Sequence, residues 1–164
     1  MAATKDEIAF LVEEAARLGV ELSERQAEQL IALTDRLLAA AELTSLTAIR
    51  ERHEVLVKHH LDSLSLCRWI DAGAGERLAD VGSGAGFPGL PLAVARPRLE
   101  VVLIESVWRK ARFLEACVED LGLSNVRVVR ERAEVLGRQA EWRERFDYAA
   151  IRTVESPVKR LTWV

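Results

Sequence analysis

The chain has 164 residues, of which 49% are hydrophobic and 30% charged, with a formal net charge of -3. That suits one ordinary globular domain, or a small domain with a helical cap, and the acidic balance argues against indiscriminate polyanion binding while leaving room for a local basic face. No apolar run approaches a membrane span, and the acids between Met1 and Ala16 replace the apolar core of a signal peptide, so a cytosolic protein is expected.

Thr4 to Glu7 forms a capping box, and Ile8, Leu11, Val12, Ala15 and Leu18 follow at helical spacing, with Gly19 as the stop. Ser23 to Gln26 is a second box, opening a helix with Leu30, Leu33, Leu37 and Leu38 on one face; Arg25, Glu28, Asp35 and Arg36 read as a solvated face. A connector is expected over Glu42 to Ile49 and a further helix over Arg50 to Ile70. In that helix the adjacent His59 and His60 should point about 100° apart, which excludes an i, i+4 metal pair. Lys58, His59, Asp62 and Ser63 form either a polar edge over a crevice or a hydrated face. Ala72 to Gly75 is the best linker, which divides the chain into an N-terminal helical region, 1–71, and a second region, 72–164. Cys67 and Cys117, without a C-x-x-C pattern or His partners, read as buried free thiols, and no metal site is expected.

From Arg77 onward the pattern alternates between strand and helix. An apolar run ending at Asp80 and Val81 leads into Gly82, Ser83, Gly84, Ala85, Gly86 and Phe87, and a helix-compatible run covers Gly89 to Ala95. Leu99 to Ile104 reads as a buried parallel strand, Val107 to Leu121 as an amphipathic helix stopped at Gly122, and Asn125 to Arg130 as a third strand. A helical segment is expected over Arg132 to Glu144 and a fourth strand over Phe146 to Val154. The alternation predicts an α/β fold with a doubly wound parallel sheet.

A strand, a Gly-rich turn and a helix in this order build a ligand-binding turn at the carboxyl edge of such a sheet. Gly84, Gly86 and Gly89 satisfy the dinucleotide pattern G-x-G-x-x-G, so a nucleotide-binding oxidoreductase is one reading. The acid two residues before Gly82 favours another. A carboxylate repels a pyrophosphate but suits the cationic amino-acid moiety of S-adenosyl-L-methionine. Glu105, at the end of the second strand, is placed to accept ribose hydroxyls from an adenosine, Ala133 and Glu134 follow the third strand, and Arg152 ends the fourth. Each has a plainer reading: a solvated strand-end acid, a capped helix start, a solvated charge. Basic residues cluster at Arg109, Lys110 and Arg112, at Arg127, Arg130 and Arg132, and at Arg138, Arg143 and Arg145, as a phosphate-binding surface or as solvated faces.

Together, LTAIR (Leu46 to Arg50), KHHLDSL (Lys58 to Leu64), DVGSGAGFPGLPLA (Asp80 to Ala93), ESVWRKARFL (Glu105 to Leu114), RAEVL (Arg132 to Leu136) and FDYAAIRTV (Phe146 to Val154) resemble the RsmG/GidB family. These are small-subunit (16S) ribosomal RNA methyltransferases that modify a guanine N7 with S-adenosyl-L-methionine. The resemblance implies a Rossmann-like class I methyltransferase core, an rRNA or ribosomal-subunit partner and a monomer. It implies that Gly82 and Phe87 contact the cofactor, that Ala133 and Glu134 lie near its adenine and that Arg152 closes the site. His59 and Arg152 are the residues expected to influence transfer. The family pattern has tryptophan and asparagine near Ala40 and Ala41, asparagine at Ser45, and further strands beyond the fourth, where this sequence reads ESPVKRLTWV. An incomplete core with an open edge at the fourth strand is therefore expected, open to self-association. Rival readings are a small-molecule methyltransferase and a cofactor-binding remnant without activity.

Overall fold

A computed structural model describes residues 3–41, 46–70 and 75–152. Helix α1 (Lys5–Arg17) starts from the predicted box: the Thr4 hydroxyl accepts from the Glu7 N–H, and the Glu7 carboxylate reaches back to Thr4. Helix α2 (Glu24–Ala41) starts from the second, where Ser23 and Gln26 exchange the same bonds at 2.9 and 3.3 Å. The third helical segment is a relay of short pieces: α3 (Arg52–Val55), a π-helical turn (Leu56–Leu61), α4 (Asp62–Leu64) and a 3-10 segment (Ser65–Trp69).

Four parallel strands follow, β1 (Arg77–Val81), β2 (Glu100–Ile104), β3 (Val126–Val129) and β4 (Tyr148–Ile151), in the order β3-β2-β1-β4. Helices α5 (Gly89–Ala95), α6 (Trp108–Leu121) and α7 (Ala133–Leu136) connect them, so the fold is Rossmann-like α/β as expected. Strand β2 is buried except at its first residue, which is why it reads as an unbroken apolar run. β4 forms an edge of the sheet among the described residues. Val154 and the tail Glu155 to Val164 lie outside them, as do Ala72 to Ala74 in the linker and Glu42 to Ser45 in the connector.

Side-chain alternation along the strands sorts the core into two layers. Leu78, Val101 and Leu103 face α2, α5 and α6 and share one continuous core with Leu11, Leu30, Leu37 and Leu64 of the N-terminal helices. Ala79, Val81, Val102 and Ile104 face the other way, beneath Leu136, Trp142 and Phe146. The two regions are also tied by hydrogen bonds: Gln26 Nε2 donates to Val94 O and Gln29 Nε2 to Leu121 O, both at 2.7 Å, satisfying carbonyls at the ends of α5 and α6.

Two local expectations are corrected. The helix expected over Arg132 to Glu144 stops at Leu136. Beyond it the chain turns, and Trp142 stacks on Phe146 with centroids 6.3 Å apart to cover the second sheet face. Asp35 and Arg36 are not simply solvated. Asp35 pairs with Arg52, which also pairs with Glu7 and so links three helical segments, and Arg36 pairs with Asp120. His59 and His60 do point apart, the first half-buried against Thr47 and the second fully buried against Thr34, and the Phe87 ring bridges the two. Cys67 and Cys117 are buried free thiols, their ionisation pushed up by burial, that of Cys117 to about 12. No helix among the described residues is long and apolar enough to cross a membrane. None of their His, Cys, Asp or Glu residues group in threes that could hold a metal ion.

Candidate cofactor site at the carboxyl edge

The Gly-rich turn sits between the ends of β1 and β2. Gly82 N–H and Ser83 N–H both donate to Ile104 O, at 2.8 and 3.2 Å, and Gly86 N–H donates to Ser83 O at 2.7 Å. This folding requires positive φ at Gly82, Gly84 and Gly86 (73°, 58° and 92°). The glycines serve different ends. A Cβ on Gly86 would lie 2.3 Å from Leu90 Cδ1, and one on Gly89 would lie 2.3 Å from Leu103 Cδ2 and 2.6 Å from Asp80 Oδ2. Those two glycines permit close packing of α5. A Cβ on Gly84 would meet only Gly82 O, at 3.8 Å. Gly84 and Gly82 are partly exposed, whereas Ser83, Ala85 and Phe87 are buried. The open side of the turn is therefore at Gly82 and Gly84. Ser83 spends its hydroxyl on Asp80 O at 2.9 Å.

Asp80 occupies the Leu78 side of β1 and so points beneath α5, where Oδ2 accepts the Gly89 N–H at 3.0 Å. It is fully buried, and Oδ1 has no hydrogen-bond partner. Burial raises its ionisation to about 7, against the opposing pull of the Gly89 N–H. Across the crevice, Glu105 is also buried. Its Oε2 accepts the Gly84 N–H at 2.9 Å and its Oε1 the Val107 N–H at 2.8 Å, so this carboxylate fixes the glycine turn to the start of α6. Each oxygen keeps a lone pair for a hydroxyl donor. Ala133 and Glu134 open α7 just after β3, half-buried at the same edge.

The fourth side is built by the helical cap. Phe87 is 6% exposed and held by both histidines. The His59 ring stacks on it at 4.7 Å and 20°, and the His60 ring meets it edge-on at 5.3 Å. Thr34 donates to Leu30 O at 3.2 Å and lies 2.8 Å from His60 Nε2, so that nitrogen carries the proton. Complete burial holds His60 neutral, its ionisation lowered to about 3. His59 contacts Thr47 Oγ1 through Nε2 at 3.0 Å, and burial, then the nearby Arg152 charge, lower its ionisation. Arg152 reaches back from the end of β4: Nη2 donates to Lys58 O at 2.9 Å and lies 3.3 Å from Asp62 Oδ2. Asp62 thus joins Arg152 in a polar edge, whereas Lys58 gives only its carbonyl and its ammonium pairs with Glu54. Arg152 Nη1 and His59 Nδ1 are buried without partners. Arg152 also walls a groove of about 520 Å³ between α1 and the third helical segment, along Leu18, Val57 and Leu61.

The structure thus brings Gly82, Gly84, Glu105, Ala133, Glu134 and Arg152 to one edge of the sheet, with Asp80, Ser83, Gly86, Phe87 and His59 supporting it from beneath. The roles of Thr34, Thr47 and His60 were not read from the sequence, since a single Thr or His carries no pattern until its partner is placed. His59 Nδ1 and Arg152 Nη1 are left unpartnered at this edge, whereas the unpartnered Asp80 Oδ1 lies beneath α5. Imidazole and cation together suit a ligand carboxylate, and Glu105 suits a diol.

Among solved structures, MtNAS in complex with MTA and tNA has the same fold, with a TM-score of 0.54 and 16% identity over 94% of this chain and 53% of that one. So does a putative protein-L-isoaspartate O-methyltransferase from Plasmodium falciparum, solved with S-adenosyl-L-homocysteine, with a TM-score of 0.53 and 18% identity over 96% of this chain and 79% of that one. Sequence relatives are nearer. The ribosomal RNA small subunit methyltransferase G of Desulfitobacterium hafniense (strain Y51) is 42% identical over 138 residues, covering 84% of this chain and 56% of that protein. The protein of that name from Sorangium cellulosum (strain So ce56) is 50% identical over 127 residues, covering 77% and 53%. The chain spans about half the length of these curated relatives. The GidB family model, rRNA small subunit methyltransferase G, matches residues 26–164, from within α2 through every strand of the sheet. On that extent of match, the chain belongs to the rRNA small subunit methyltransferase G family.

Proposed function

We propose that this chain binds S-adenosyl-L-methionine at the carboxyl edge of its sheet and serves transfer of the methyl group to N7 of a guanine in small-subunit (16S) rRNA, acting on the rRNA or the ribosomal subunit. The observation that carries this reading is the convergence of the family-pattern residues Gly82, Gly84, Glu105, Ala133, Glu134 and Arg152 on one crevice. In this reading Glu105 holds the ribose, Ala133 and Glu134 flank the adenine, the open face of Gly82 and Gly84 takes the chain between them, and Arg152 holds the amino-acid end.

When bound, the cofactor supplies an electrophilic methyl group on a sulfonium. The chain supplies position. Guanine N7 offers an exposed lone pair and has no proton to lose, so no side chain is required as a general base. Arg152 and His59 orient, and the helical cap excludes water, so the rate gain comes from proximity and electrostatic fit. The open groove beside Arg152 leaves an approach for the target base from that side.

The test is incubation of the chain with small ribosomal subunits and methyl-labelled cofactor, followed by nucleoside analysis. Label in 7-methylguanosine supports the reading, with graded losses for Arg152→Ala and His59→Ala. Label in small metabolites and none in rRNA would replace it with a small-molecule methyltransferase. Complete loss with His59→Ala, cofactor binding intact and a steep pH dependence, would show that a base is needed.

A further inference from the structure

We infer that the β2–β3 side of the crevice is a single-stranded RNA platform, on which Trp108 stacks a base and Arg109, Lys110, Arg130 and Arg132 hold the flanking phosphates. This rests on the proposed RNA substrate and adds the surface that grips it. Trp108 opens α6 directly after Val107, whose N–H is held by Glu105, and its side chain is 55% exposed. A tryptophan left in water offers a large flat apolar face without burying it, whereas Trp142 uses its ring against Phe146 and Arg127. Parallel pairing then fixes the neighbours. Ile104 of β2 pairs with Val129 of β3, and Glu105 N–H donates to Val129 O at 3.1 Å. Arg130 therefore follows at the same edge, with Arg132 two residues on.

Pairing singles these residues out within the first two basic clusters. Arg112 pairs with Glu115 at 2.8 Å, and Arg127 lies over the Trp142 ring at 5.3 Å. Arg109, Lys110, Arg130 and Arg132 have no side-chain carboxylate partner among the described residues, and Glu131 turns its carboxylate to the Arg132 N–H at 2.8 Å. Cations left unpaired around an exposed indole match the composition of single-strand binding surfaces, where an aromatic face stacks bases of any sequence and cations track the backbone. With strands about 4.8 Å apart, the edge from β4 to β3 spans roughly 14 Å, so a strand whose target base enters beside Arg152 can extend over this surface.

The test uses the full chain and a fluorescein-labelled single-stranded RNA, read by anisotropy, with S-adenosyl-L-methionine affinity measured in parallel by calorimetry. Trp108→Ala should weaken RNA binding about tenfold to a hundredfold, and Trp108→Phe should restore most of it. Trp69→Ala removes the other strongly exposed tryptophan among the described residues, 74% exposed on the 3-10 segment before β1, and should change nothing. Arg109→Gln and Lys110→Gln should each lower the salt slope by about 0.7. Wild-type RNA affinity in Trp108→Ala, or no RNA binding by the unaltered chain, would overturn the inference. Loss of cofactor affinity in Trp108→Ala would also overturn it, by making the indole a cover for the adenine. Absence of cofactor binding in the unaltered chain would instead count against the methyltransferase reading, while the RNA measurement would still decide the platform.

Discussion

Asp80→Asn tests the idea that the acid of the glycine motif is buried beneath α5 and works by positioning it. Its carboxyl is fully buried with one bond, to Gly89, and ionises at about 7 against 3.8 for an ordinary aspartate. A raised folded-state value means the unfolded chain releases this proton first, so stability falls as pH rises from about 4 to about 7. At 1.36 kcal/mol per unit, the loss between pH 5 and pH 8 comes to about 3 kcal/mol. His60 works in the opposite sense. Its lowered value, about 3, makes stability rise with pH up to the ordinary 6.5, so the profile of the unaltered chain is partly cancelled. The comparison is therefore a difference. Asparagine keeps an acceptor for Gly89 and cannot ionise, and any cost of its amide is independent of pH. Urea unfolding of both chains at pH 5 and pH 8 should show the variant gaining about 3 kcal/mol relative to the parent at the higher pH. A difference that does not change with pH would refute the buried, half-neutral Asp80 and return it to the crevice as an ionic partner.

Gly84→Ala and Gly86→Ala both place a Cβ at positive φ, 58° and 92°, so the gap between them combines packing with the greater strain at Gly86. The close contact with Leu90 should make Gly86→Ala less stable than Gly84→Ala by about 1–3 kcal/mol in the same unfolding assay. Arg52→Ala breaks the pairs to Glu7 and Asp35 and should cost roughly 2 kcal/mol at pH 7. Because Arg52 lowers the Glu7 ionisation, that contribution is present above the ordinary value of 4.5 and is lost as pH falls through the folded value. The variant should therefore unfold in acid with a shallower pH dependence, readable by circular dichroism. Phe87→Ala removes the ring between His59 and His60 and should lower stability by about 3–5 kcal/mol, with a matching drop in the thermal midpoint.

Much of this architecture was legible because local chemistry decides it. The boxes at Thr4 and Ser23 start the helices, Gly122 stops α6 in the left-handed region at φ 64°, and the apolar runs become the two inner strands. Side-chain orientation was harder to read. The conclusion that Asp80 lies beneath α5 needs the sheet parity and the Gly89 contact, neither visible in a motif. Regular helical spacing separates His59 and His60, as the structure does, but it does not show that the Phe87 ring lies against both. The charged face of α2 looked solvated until Arg52 and Asp120 arrived from distant parts of the chain. The segment after Leu136 kept helix-compatible residues, but Trp142 and Phe146 gain more by covering the second sheet face.

The most direct test of the central claim is calorimetric titration of the 164-residue chain with S-adenosyl-L-methionine, with Gly84→Ala as the comparison. Gly84 offers its open side to the crevice and its N–H to Glu105. One-site saturable binding to the unaltered chain, greatly weakened in a variant that still unfolds cooperatively, is the predicted result. Equal binding to both chains, or no binding by a folded unaltered chain, would contradict the placement of the cofactor at this edge.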